Sequence, residues 1–158
     1  MNVYSWFPDD NSNKKLCIQA AGLRYTGGER HVSLIWSNPS TLGTTVVTQI
    51  VQLGGQNGMY EYSSPVAKMC DERSLLNGVT NTFFDLGKYY TRVERDKILE
   101  LATAVQFISA SRLNGCRVWM RDLLSSMVSE GLLLQANFNL IVAAVPLPER
   151  QHESFLED

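Results

Sequence analysis

An α+β fold is predicted: an antiparallel sheet from the first half of the chain, packed by two or three helices from the second. Three observations predict it. Runs rich in β-branched and aromatic residues, separated by Gly and Asn turns, fill the chain to about residue 62. After Thr91 the apolar residues recur at helical spacing. The runs of the first half are short and closely joined, which favours an antiparallel meander over parallel crossovers.

The elements follow in order. Residues 1–14 read as a flexible N-terminal arm, which Trp6 and Phe7 could tack onto the body. Residues 15–25 are a first strand, and Thr26–Gly27–Gly28 a turn. Residues 31–36 are a second strand, ended by Asn38–Pro39–Ser40, and residues 44–53 the clearest strand in the chain. Gly54 to Gly58 lacks the Lys–Ser/Thr pair of a phosphate loop and reads as a hairpin turn into a short strand, Met59–Tyr62. Residues 63–90 read mostly as loop, with one strand around Val79–Phe84. Thr91 and Glu94 have capping-box spacing, and Ile98, Leu101, Ala102, Val105 and Ile108 make an amphipathic stripe, so a helix is predicted over 92–109. A second helix runs from Cys116 to about Glu130, with Gly131 as its stop. Residues 135–145 fit a short helix or a strand. The domain is predicted to span 15–148, followed by a charged tail, 149–158.

Composition excludes several function classes. A chain of 158 residues with 44% apolar and 19% charged content is long enough to bury a core without metal or disulfides. A net charge of −2 gives no bulk electrostatic attraction to nucleic acid. No run approaches the roughly 18 apolar residues of a membrane span, and the polar N-terminus is unlike a secretion signal. The three cysteines, Cys17, Cys70 and Cys116, lack CxxC spacing, and only His31 and His152 could join them in a metal site. Free thiols in a cytoplasmic or nuclear protein are expected, with no cofactor and no metal.

The segment Asn114–Gly115–Cys116–Arg117–Val118–Trp119 carries the most chemistry. If Asn114 or Gly115 caps the helix, Cys116 lies in its first turn, where unpaired N–H groups and the helix dipole stabilise a thiolate. Arg117 adds to that field. The same spacing also fits an inert core cysteine, because Met120, Leu123, Leu124, Met127 and Val128 form the buried stripe and Cys116 lies four residues before Met120. A nucleophilic thiol needs a base. His152 lies in the charged tail, whereas His31 opens a strand and shares a face with Ser33 and Ile35.

The order of a strand histidine, further strands, and then a Gly–Cys–Arg–x–Trp helix start resembles the permuted NlpC-like branch of the papain fold. That branch includes the PPPDE isopeptidases and the lecithin–retinol acyltransferase relatives. The chain is similar, too, to fungal proteins with an H-W-S-L … G-C-R-x-W pattern. His31, Ser33, Leu34, Gly115, Cys116, Arg117 and Trp119 carry the likeness, and Val32 replaces the aromatic. The resemblance implies a papain-like core with a Cys116–His31 thiol site acting on an amide, isopeptide or ester. It implies no substrate. Its orienting residue is usually polar and on the strand after the histidine. Thr48, Gln49 and Gln52 are candidates, with Gln49 placed first. Asn114, Arg117 and Trp119 are candidate substrate-binding residues.

Other features have plainer readings. Glu94, Arg95, Asp96, Lys97 and Glu100 look like a solvated helix face. Asp71, Glu72 and Asp85 lack a metal-like pattern. Tyr60, Tyr62, Tyr89 and Tyr90 could line a pocket or an interface. The alternatives to an enzyme are a non-catalytic interaction module and a small-molecule-binding protein on the same fold.

Overall fold

The computed structural model describes residues 1–21, 31–40, 43–72 and 81–153. The turn expected at 26–28, the end of the first expected strand at 22–25, the start of the strand expected at 79–84 and residues 154–158 lie outside the described residues. The fold class is α+β, with a five-stranded antiparallel sheet and, among the described residues, three helices. The sheet is built from β1 (Lys14–Ala21), β2 (Val32–Pro39), β3 (Thr45–Val51), β6 (Val66–Asp71) and β7 (Asn81–Tyr90), in the order β6-β3-β2-β1-β7. Strands β1, β2 and β3 form the expected meander. A separate hairpin pairs β4 (Gly54–Gln56) with β5 (Met59–Glu61), turning through Gly58 at φ 84°, which favours glycine.

Residues 63–90 are richer in strand than their sequence suggests. Strand β6 pairs with β3 from Val66↔Ile50 to Asp71↔Thr45, and the strand expected near 79–84 extends to Tyr90 as β7. Strand β7 is mostly polar and exposed after Phe84, so no alternating pattern marks it. Its pairing with β1 holds it in place.

The helices are α1 (Arg92–Ala104), α2 (Cys116–Ser129) and α3 (Gln135–Ala144). The Thr91–Glu94 capping box forms in full at α1, an arrangement that contributes about 1 kcal/mol. Helix α1 stops at Ala104, short of the expected 109, so only Ile98 and Ala102 of the predicted stripe are fully buried. Helix α2 buries Met120, Leu123, Leu124 and Met127 as its spacing requires. Gly131 ends it at φ 73°, with Gly131 N–H donating to Val128 O and Leu132 N–H to Met127 O, so the last carbonyls are satisfied. The ambiguous stretch 135–145 is helical.

The helices close over one face of the sheet. The core joins Leu16, Ile18, Ala20, Leu34, Trp36 and Val51 of the strands to Ile98, Trp119, Met120 and Leu123 of the helices. Among the described residues, no helix is long and apolar enough to cross a membrane.

The N-terminal residues are packed, in contrast to the expected flexible arm. Val3 joins Val47 and Ala67 in a second small core, and its N–H donates to Ala67 O at 2.8 Å. Trp6 and Phe7 are exposed and do not anchor the segment. Asp9 does. Its carboxylate accepts from Arg95 Nε at 2.9 Å and from Asn38 Nδ2 at 3.0 Å. Arg95, expected on a solvated face, is fully buried, and its remaining donors reach the carbonyls of Ser12, Tyr90 and Asp10. The guanidinium fork has five donors in one plane, and the carboxylate and three carbonyls around it satisfy a charge removed from water.

Candidate active site

The site lies where β2 begins and β3 ends. Pairing between the two strands runs from Pro39↔Val46 to Leu34↔Val51. One step further the register sets Ser33 beside Gln52, and β3 leaves the sheet. His31 immediately precedes β2. The start of α2 packs against β2, and Cys116 lies near the Val32 N–H at the buried N-terminal end of that strand.

Gly115 is the N-cap of α2 and supplies no side-chain cap. Cys116 is therefore the first helical residue, half-buried, with its sulfur near unpaired helix N–H groups. A Cβ at position 115 would lie 2.5 Å from the Tyr60 hydroxyl oxygen, so any larger residue there would displace the Tyr60 ring.

His31 and Cys116 lie close enough for each to shift the other's titration. The His31 Nε2 donates to Gln52 Oε1 at 2.7 Å, and Ser33 Oγ donates to the same oxygen at 3.0 Å. An amide oxygen only accepts, so Nε2 carries a proton. Burial pushes the Cys116 thiol up. The hydrogen bond with His31, the Val32 N–H aimed at the sulfur, and the charges of His31 and Arg117 together outweigh burial and hold it below the ordinary thiol range. The hydrogen bond to Cys116 is the largest influence on His31 and raises it; burial and Lys68 act downward, and Gln52 acts upward. Both shifts favour a thiolate–imidazolium pair.

Gln49 is not the residue at the ring. It is buried in β3 opposite Trp36, and its Nε2 has no partner among the described residues. Side chains alternate along a strand, so Gln49 faces away from the side that Thr48, Ile50 and Gln52 share. Thr48 lies on the correct side but pairs with Ser37, six residues along β2 from His31. That alternation was visible in the sequence, but choosing between Thr48 and Gln52 required the register.

The candidate substrate-binding residues fall in different places. Trp119 is 1% exposed and stacks at 5.3 Å on Tyr62 within the core, so it supports the helix rather than meeting solvent. Asn114 is buried and binds the C-terminal segment through Gln151 and Glu153. Arg117 is half-buried beside the thiol and donates to Pro146 O at 3.4 Å. Among the described residues, no three His, Cys, Asp or Glu side chains form a metal-binding group.

The site sets a cysteine in the first turn of a helix near a histidine whose ring is held by an amide oxygen. A search of protein-family models, of curated proteins and of solved structures finds no match to this chain.

Proposed function

We propose that the protein is a cysteine-dependent hydrolase or acyltransferase acting on an amide, isopeptide or ester bond. The observation that carries this reading is Cys116 in the first turn of α2 near a His31 ring that Gln52 holds at 2.7 Å. The Cys116 thiolate attacks the substrate carbonyl carbon and forms the C–S bond. The carbonyl oxygen gains negative charge, which N–H groups at the start of α2 stabilise. His31, protonated in the pair, gives its proton to the leaving amine or alcohol as the carbonyl re-forms and the leaving group's bond breaks. Water or a second acceptor then attacks the thioester, passing a proton to His31, and the C–S bond breaks to regenerate the pair. Gln52 holds the ring so that one nitrogen faces the sulfur throughout. The nearness of His31 to Cys116, close enough for each to shift the other's titration, favours this reading over an interaction module. The cytoplasmic or nuclear location expected from the sequence suits a free thiol nucleophile.

Iodoacetamide at neutral pH tests the proposal. Cys116 is expected to be alkylated faster than Cys17 and Cys70, as measured by peptide mass spectrometry of the native protein. Cys17 provides a sharp contrast, because burial and Asp85 raise its thiol. Cys116→Ser should abolish the fast phase and move the melting temperature by less than about 2 °C, since a serine hydroxyl at a helix start meets water or a free N–H. Slowest reaction at Cys116 would refute the mechanism.

A further inference from the structure

The loop before Cys116, residues 109–115, contains no helix or strand and is held from two sides. On one side it lies along the β4–β5 hairpin: Gly58 N–H donates to Ser111 O at 2.9 Å, Tyr60 N–H to Ser109 O at 2.8 Å, and Ser109 Oγ to Tyr60 O at 2.6 Å. On the other side it meets the segment after α3. That segment runs back along α2, where Arg121 donates to Leu147 O at 2.7 Å and Arg150 pairs with Asp122 at 2.8 Å. It then reaches Asn114, whose side-chain amide both donates to and accepts from the Gln151 backbone at 2.8 Å. The segment read from sequence as a charged tail is thus bound to the loop through Glu153.

We infer that Glu153 is a positioning residue for the Cys116 loop, holding Ser111 and Asn114 so that the start of α2 presents its sulfur to His31. This rests on the thiol reading above. Glu153 is 6% exposed, and its Oε1 accepts from Ser111 Oγ and from Asn114 Nδ2. Both partners belong to the loop. Ser111 Oγ in turn accepts from Leu113 N–H at 3.2 Å and Asn114 N–H at 2.9 Å. A hydroxyl has one hydrogen. Glu153 Oε1 accepts that hydrogen, which turns the hydroxyl oxygen's lone pairs toward the two backbone N–H groups. The direction of the whole chain is therefore set at the Glu153 carboxyl, and its last link is the residue before the Gly115 cap. The other carboxyl oxygen, Oε2, is buried without a partner among the described residues. A buried oxygen without a partner is costly, and what the carboxyl holds is the loop before Cys116.

The test is E153Q, which keeps the shape but replaces a pure acceptor with a group that can donate to Ser111 Oγ and compete with the two N–H groups. Cys116 alkylation by iodoacetamide is followed against pH, alongside hydrogen exchange of residues 111–116 and a melting curve. The groups acting on the thiol are His31, Arg117 and the Val32 N–H, and on His31 also Lys68; all are intact in the variant. The alkylation midpoint is expected to rise by about one pH unit, and exchange at Leu113 and Asn114 to quicken by roughly tenfold or more. A purely structural role would lower the melting temperature and leave the midpoint in place. A depressed wild-type midpoint that E153Q leaves unchanged overturns this inference alone. A wild-type midpoint in the ordinary thiol range overturns the thiol reading and this inference with it. Should E153Q fail to fold, S111A removes only the hydroxyl and is read the same way.

Discussion

Replacing His31 with alanine is expected to slow alkylation of Cys116 at neutral pH by roughly tenfold. The thiolate is the reacting species, and once the midpoint lies above the working pH its share falls about tenfold for each further unit. In the wild type, the His31 hydrogen bond and charge help hold that midpoint down against burial. Without the ring, burial is opposed only by the Val32 N–H and Arg117. The sign follows: the rate rises with pH in both proteins, but the His31→Ala curve is displaced to higher pH and the two converge in alkali. Gln52→Ala should move the curve in the same direction by less, since it loosens the ring without removing it. Coincident wild-type and His31→Ala profiles would show that the contact does not activate the thiol.

Arg95→Ala is expected to destabilise the protein by about 3–5 kcal/mol, the usual result of leaving a buried charge without its partner. Asp9 would keep its carboxylate out of water, with only Asn38 bonded to it and Arg92 4.0 Å away. The carbonyls of Asp10, Ser12 and Tyr90 would lose a donor together. For a chain of this size, the melting temperature should fall by roughly 10 °C. Urea denaturation provides the measurement. Replacing both charges, as in Arg95→Met with Asp9→Leu, should recover much of the loss, because two apolar groups leave no charge buried. A change under about 1 kcal/mol for Arg95→Ala would mean that water reaches the pair and that the N-terminal segment is held by other contacts.

Arg95 shows why a helical charge pattern misleads when read locally. Glu94, Arg95, Asp96 and Lys97 are consecutive, and consecutive charges cannot all face solvent on a helix with 3.6 residues per turn. One of them must turn inward. The partner that makes this tolerable, Asp9, is 86 residues away in sequence. The misreading of residues 63–90 has the same origin. Strands β6 and β7 are sheet edges with weak alternation, placed by their pairing to β3 and β1.

What the sequence by itself determined is local. The Thr91–Glu94 cap, the α2 stripe, the Gly131 stop and the position of Cys116 in the first turn of α2 each depend on residues within a few positions of one another. So does His31 sharing a face with Ser33. Short-range spacing encodes these, because a helix or strand repeats every few residues. Tertiary structure decided the rest. The pairing Leu34↔Val51 put Gln52 rather than Gln49 at the His31 ring. Packing drew Trp119 into the core and joined Asn114 to the C-terminal segment. These contacts join strand to strand and loop to tail across tens of residues. Register and docking are settled only when the whole apolar face is buried at once.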